Sequence, residues 1–254
     1  MRFENRVAVV TGGASGFGAC TALRLLEEGA RVTIADRDGL SGRRLAAELG
    51  LSCHFVCCDI TSRADGARVG EETADKFGKI DLLINNAGIG WAGAFSEADD
   101  AQIERVLAID TIGPIRMTQA ILPYLKQSAK ADPDPGPAIV FTASGLGIKS
   151  APSVSLYAVA KHGVVGLMRS LAAELGPQGI RVNAVCPGIV DTPAVRSMWG
   201  EKGTEEALER FRKDRPLNRE VTPCDIANAI LFLCSNEARM IHSVALVVDG
   251  GRLG

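Results

Sequence analysis

Aromatic residues are scarce. Phe, Trp and Tyr make up 5% of the 254 residues, with two tyrosines and two tryptophans, while glycine is abundant. That balance argues against a sandwich of aromatic-rich strands and for closely packed α/β layers. An excess of positive charge is also missing: 28 Lys and Arg stand against 30 Asp and Glu, for a net charge of −2, with the two signs interspersed. No basic groove for a phosphate backbone can be built from this, so no nucleic-acid partner is expected. No apolar run reaches the ~18–20 residues that span a bilayer, so no membrane partner is expected either. The opening segment MRFENRVAVVTGG lacks the long apolar stretch of a signal peptide, and a cytoplasmic location is the expectation. Seven scattered cysteines, an odd number, argue against a disulfide framework. With three histidines in all, the His54, Cys57 and Cys58 group has no second ligand pair to complete a metal site. No metal is expected, and these cysteines are read as buried core thiols.

What is present is alternation. Short β-branched runs at 6–12, 31–36, 52–59, 80–86, 138–144, 180–187 and 243–251 read as strands. Segments of helical period separate them, at 16–29, 40–49, 62–77, 101–127, 155–176 and 223–236. Continuous apolar strands with helices between them predict a single-domain, Rossmann-type doubly wound α/β fold: seven parallel strands with helices on both faces. No break in composition marks a second domain. The segment 191–218 is richer in charge, has no clean strand, and is expected to form mobile helices over the sheet edge, a substrate lid.

Directly after the first strand comes TGGASGFG, with Gly12, Gly16 and Gly18 leading into a helix. A strand, a glycine turn and a helix N-terminus together make an anion site, because backbone N–H groups face outward and no Cβ holds a diphosphate away. Asp36 ends the second strand, where a carboxylate can accept hydrogen bonds from a ribose 2′-hydroxyl and would repel a 2′-phosphate. It favours NAD over NADP as cofactor, although the adjacent Arg37 could pair with a phosphate. A turn cap is the plainer alternative for Asp36.

One of the two tyrosines, Tyr157, stands four residues before Lys161 in the stretch YAVAKHG. The spacing puts phenol and ammonium one helical turn apart. They could be surface decoration or an acid–base pair. An unperturbed phenol titrates near ~10, and a neighbouring ammonium favours its ionised form.

With TGGASGFG, NNAG (85–88), YAVAK (157–161) and NAVCPG (183–188) in register, the chain resembles the short-chain dehydrogenase/reductase family over essentially its whole length. The resemblance implies an oxidoreductase that interconverts a secondary alcohol and a ketone. Tyr157 would exchange the proton, Ser144 would orient the reacting oxygen, and Lys161 would tune the tyrosine and grip the nicotinamide ribose. It implies cofactor contacts from Gly12, Ser15, Gly16, Phe17 and Gly18 in the first turn, from Asp36 and Arg37, and from Asp59 and Ile60 after the third strand. Asn86, Ala87 and Gly88 after the fourth strand, Tyr157 and Lys161 in the sixth helical segment, and Pro187, Gly188, Val190 and Thr192 after the sixth strand complete the set. In the family the segment after the sixth strand often closes over the substrate, so Met198 and Trp199 are expected to line an apolar pocket with Trp91 and Leu146. Phe211 is expected to pack the lid helices. The long helices at 101–127 and 155–176 resemble those that pair across a family dimer axis, which implies a homodimer or homotetramer.

The chain departs from the family at Asp110, in AIDTIGP, where the family usually carries an asparagine associated with a helix irregularity and a water chain from the lysine. An ionised aspartate only accepts hydrogen bonds, and it would raise the pKa of a nearby lysine. The change could be silent, could retune the proton relay, or could mark a chain that keeps dinucleotide binding and has lost turnover. The last possibility keeps a different class open, a dinucleotide-binding regulatory or sensing protein.

Overall fold

The computed structural model describes residues 1–253. Seven strands form one sheet: β1 (Val7–Thr11), β2 (Arg31–Asp36), β3 (Cys53–Cys57), β4 (Leu82–Asn85), β5 (Ala138–Thr142), β6 (Arg181–Pro187) and β7 (Ala245–Val248). Their order is β3-β2-β1-β4-β5-β6-β7 and every pairing is parallel. Every residue of β1, β4, β5 and β6 is buried, which is why these strands read as uninterrupted apolar runs rather than alternating ones. The chain reverses direction across the sheet between β1 and β4, opening a crevice at the strands' carboxyl ends.

Helices cover both faces. On one lie α1 (Gly16–Glu27), α2 (Gly39–Leu49) and α8 (Pro223–Cys234), whose Ala22, Leu25, Ile226, Ile230 and Leu231 bury against Val10, Ile34 and Ile84. On the other lie α3 (Arg63–Phe77), α5 (Gly113–Ala131) and α6 (Ser155–Leu175), which bury Val69, Met117, Ile121, Leu125, Val164 and Met168 against Val9, Leu83, Ile139 and Phe141. Each such aliphatic side chain contributes about 1.5–3 kcal/mol on burial. Asp38, Ser62 and Thr222 cap α2, α3 and α8 with their side chains. Ser15 at the start of α1 makes no such bond, so the first-turn N–H groups of α1 have no side-chain cap.

Three sequence expectations are corrected. The helix expected over 101–127 is two helices, α4 (Asp100–Leu107) and α5, joined by a π-helical turn at Ala108–Ile112. The widened turn carries Asp110 inward to zero exposure. The last strand stops at Val248 rather than 251, because the Asp249 carboxylate accepts the N–H groups of Gly251, Arg252 and Leu253 and curls the chain away. Cys53 and Cys58 are buried as expected, but Cys57 is exposed, and His54 faces Glu72 at 3.2 Å instead of a cysteine. Burial raises the Cys53 and Cys58 thiols to about 11 and about 12.

The segment after β6 forms α7 (Pro193–Lys213), broken at Gly200, whose φ of 69° is left-handed. Phe211 lies under the Arg252 guanidinium, 3.9 Å from its ring centroid. Among the described residues no helix is long and apolar enough to cross a membrane.

Candidate functional site

A cleft of about 780 Å³ opens over the β1/β4 crossover. Its floor is the glycine turn. Gly12 has φ +63°, and a Cβ there would stand 2.7 Å from Ala87 Cα; a Cβ on Gly18 would stand 2.1 Å from the Gly12 carbonyl oxygen. Only glycine lets β1, the β4 loop and α1 approach so closely. Asn86 locks the arrangement by donating from Nδ2 to the carbonyls of Thr11 and Gly12, at 3.1 and 3.2 Å. Thr11, which sequence reasoning missed, accepts the N–H groups of Asn86 and Ala87 on Oγ1, at 3.0 and 3.1 Å. A buried threonine inside an apolar strand carries no linear signal of such a role.

Gly12, Ser15, Gly16, Phe17, Asp36, Arg37, Asp59, Ile60, Asn86, Ala87, Gly88 and Thr192 all line this cleft. Gly18 supports it from below. One Asp36 oxygen accepts from Ala14 N–H and the other from Asp38 N–H, both at 3.0 Å. Asp36 is thus both a turn cap and a cleft-facing acceptor, since each carboxylate oxygen retains a further lone pair. Asp59 similarly accepts the Thr61 N–H and hydroxyl. Six predicted contacts do not line the cleft: Gly18 packs beneath it, Tyr157 and Lys161 stand beside it, and Pro187, Gly188 and Val190 lie elsewhere. Val190 is buried in the core, Gly188 lies against Asp249, and Pro187 ends β6.

The residues fit a dinucleotide. The uncapped α1 N-terminus and the glycine floor suit a diphosphate, and a carboxylate stands at the end of β2 where a ribose would lie. A set of three or more His, Cys, Asp or Glu able to hold a metal does not occur among the described residues.

Beside the cleft lies the second half of the site. α6 carries Tyr157 and Lys161 one turn apart, with the Lys161 Nζ 5.4 Å from the Tyr157 ring centroid. Lys161 is 4% exposed; its Nζ donates to the Thr142 carbonyl at 3.4 Å and stands 3.5 Å from Asp110 Oδ2. Asp110 Oδ1 accepts the Ile89 N–H at 2.6 Å. A Cβ on Gly88 would lie 3.2 Å from both Asp110 Oδ1 and Lys161 Nζ, so the ion pair packs directly against a residue that lines the cleft. Ser144, two residues beyond β5, accepts the Leu146 N–H on Oγ at 3.1 Å, and its hydroxyl faces Tyr157.

The electrostatics refine the sequence expectation. Burial is the largest influence on the Tyr157 phenol and pushes it above its ordinary value; Lys161 and a Ser144 hydrogen bond pull the other way without prevailing. Burial works against the Lys161 ammonium, but the Asp110 carboxylate, with Tyr157, holds it above the usual lysine value. Burial raises Asp110, and the nearby ammonium offsets part of that rise. The lysine lowers the phenol, but desolvation outweighs it, so the net shift runs opposite to the one expected from the spacing.

Trp91 and Tyr157 belong to one small apolar cluster with Ile89, Val106 and Leu156. Trp91 and Met198 line the cleft, and Met198 lies over Gly90. Trp199 and Leu146 do not line it; Trp199 lies by Gly203, and Leu253 from the C-terminal turn touches Gly145 beside Ser144. Gln102 and Arg105 of α4 also line the cleft, and Gln102 accepts the Trp91 indole N–H at 3.2 Å. Sequence reasoning did not single them out, because the helical pattern does not say which polar face turns inward.

A doubly wound parallel sheet with a glycine-floored crevice at its reversal point is a Rossmann-type fold. Comparison with known proteins makes this specific. Residues 12–252 match the family model described as Enoyl-(Acyl carrier protein) reductase. The chain is 37% identical to momilactone A synthase of Oryza sativa subsp. japonica, covering 98% of this chain and 90% of that one. It is 36% identical to (+)-borneol dehydrogenase 1 of Salvia officinalis, covering 98% and 94%. A crystal structure of 3-ketoacyl-(acyl-carrier-protein) reductase from Brucella melitensis, complexed with NADH, superposes with a TM-score of 0.91 at 36% identity, covering 99% of this chain and all of that one. The chain belongs to the short-chain dehydrogenase/reductase family.

Proposed function

We propose that this chain is an NAD(H)-dependent oxidoreductase that interconverts a secondary alcohol and a ketone, with Tyr157 moving the proton. The observation that carries the reading is the buried Asp110–Lys161 pair beside Tyr157, packed against Gly88 of the glycine-floored cleft. A bound nicotinamide supplies or accepts the hydride. The chain's own residues handle the rest. In reduction, the Tyr157 O–H gives its proton to the carbonyl oxygen; in oxidation, the phenolate takes the alcohol's proton. Ser144, whose hydroxyl faces Tyr157, donates its O–H to the same oxygen and fixes its direction. Lys161 places a positive charge where the phenolate forms.

Asp36 supports NAD over NADP, since a 2′-phosphate would meet its carboxylate. The NADH complex of the Brucella relative agrees with that choice. The mixed lining of Trp91, Met198 and Gln102 suits a largely apolar alcohol or ketone, with α7 as its lid. Assembly as a homodimer or homotetramer belongs to the same reading.

One observation favours a second reading. Asp110 holds the Lys161 ammonium in an ion pair, which could keep it from the phenol and leave a dinucleotide-binding protein without turnover. Calorimetric titration with NAD and NADH, alongside a panel of secondary alcohols and ketones assayed by nicotinamide absorbance, separates the two. Binding with turnover supports the oxidoreductase. Tight binding with no turnover across the panel supports the sensor, and no binding of either dinucleotide removes both.

A further inference from the structure

Away from the cleft, α1 and α8 lie side by side on one face of the sheet, and a cysteine from each meets the other across the contact. Cys20 Sγ stands 2.8 Å from Cys224 Sγ, although the residues are 204 positions apart in the chain. Both are free thiols, Cys20 half-buried and Cys224 exposed. The remaining cysteines differ. Cys58 meets the Met117 sulfur at 3.9 Å, while Cys53 and Cys57 face backbone carbonyls at 4.0 and 3.8 Å. Each member of the pair is fixed by its helix. Cys224 is the second residue of α8, within the Thr222–Asp225 capping box, and Cys20 sits a turn beyond Gly16 in α1. Side chains already in contact on two regular helices can be joined with little backbone movement.

We propose that Cys20 and Cys224 are a reversible dithiol–disulfide pair that responds to hydroperoxides. The solvent-facing Cys224 reacts first. Its thiolate attacks the O–O bond; an S–O bond forms, the O–O bond breaks, and the departing oxygen leaves as water or an alcohol after taking up a proton. The Cys20 sulfur then attacks the sulfur of the Cys224 sulfenic acid. An S–S bond forms, the S–O bond breaks, and the hydroxyl leaves as water with the Cys20 proton. The two thiols together lose two electrons and the hydroperoxide gains two. A dithiol reductant reverses the reaction by exchange. The roles follow from the environment: burial raises the Cys20 thiol to about 12, which keeps it protonated until a partner sulfenic acid forms beside it. The disulfide stops Cys224 from climbing to sulfinic and sulfonic acids, which a dithiol reductant does not reverse.

The test is independent of the oxidoreductase reading. The full-length protein is treated with hydrogen peroxide, and its intact mass is measured without reductant. The pair predicts a loss of about 2 Da, a cross-linked peptide joining Cys20 to Cys224, and restoration by dithiothreitol. The melting temperature of the oxidised form rises by about 5–10 °C. Cys20→Ser gains oxygen at Cys224 instead of cross-linking, Cys224→Ser does neither, and Cys57→Ser cross-links as the parent does. Oxygen added at Cys224 of the parent without a cross-link would overturn the proposal, as would disulfides formed only between molecules through Cys57. Both readings come from the unsubstituted protein and do not depend on any variant folding.

Discussion

Asp110 and Lys161, both sealed from solvent, meet at 3.5 Å, while the other Asp110 oxygen holds the Ile89 N–H of the loop that lines the cleft. The carboxylate thus ties the ammonium to the cleft wall. Its charge raises both Lys161 and Tyr157. Asp110→Asn keeps an acceptor for Ile89 and removes the charge, so the alkaline limb of alcohol oxidation moves to lower pH. An unchanged pH–rate profile would show that the carboxylate does not tune the relay. Asp110→Ala leaves the ammonium buried without a partner and lowers stability by about 3–5 kcal/mol, measured by urea unfolding.

The glycine floor leaves no room for a side chain. In Gly18→Ala the new methyl meets the Gly12 carbonyl oxygen at 2.1 Å, a backbone atom that can yield only by shifting the turn. Overpacking of this kind costs about 1–3 kcal/mol in stability. The larger effect falls on dinucleotide affinity, which drops at least tenfold in calorimetric titration. Retention of parental affinity would place the diphosphate elsewhere.

Asp36 accepts two backbone N–H groups and faces the cleft. In Asp36→Ala the ratio of kcat/KM for NAD to that for NADP falls by about 10–100-fold, the worth of hydrogen bonds to a charged acceptor. A ratio that does not move would mean the ribose lies away from β2.

Stability against pH follows from the two groups on α6. Lys161 is held above its ordinary 10.5 because the neighbouring anion outweighs burial. A folded value above the unfolded one means its contribution is complete below that unfolded value and is lost as the pH rises through the folded one. Tyr157 is raised above 10.0 by burial, and its contribution follows the same course. The melting temperature is therefore insensitive to these groups at neutral pH and falls on the alkaline side, above about pH 10. In Lys161→Met that alkaline fall is shallower; an equally steep fall would remove Lys161 from the account.

Much of this was legible before the structure, and the exceptions have physical reasons. The seven strands could be read because burial on both faces makes a parallel strand a plain apolar run, as in VAVVT of β1. The glycine turn was legible because its chemistry is local: three glycines, a strand before and a helix after. The break between α4 and α5 does not show in the hydrophobic period, which a π turn leaves almost intact; only the family resemblance pointed to an irregularity at Asp110, and the turn is set by where Asp110 and Gly113 sit, the latter against Ile60. Cys57 shares the β-branched, cysteine-rich surroundings of its neighbours, yet the β3 edge turns it outward. The contact of Cys20 with Cys224 and the turn of Gln102 toward Trp91 arise only when distant segments pack together.

The most direct test of the central claim is the rate of nicotinamide reduction by a secondary alcohol in the parent protein and in Tyr157→Phe, measured at saturating NAD with dinucleotide affinity checked in parallel. The account predicts a fall in kcat of about 10²–10⁴-fold with affinity nearly unchanged, because the substitution removes only the hydroxyl that moves the proton and leaves the ring and the glycine floor in place. Turnover within a few-fold of the parent would contradict it.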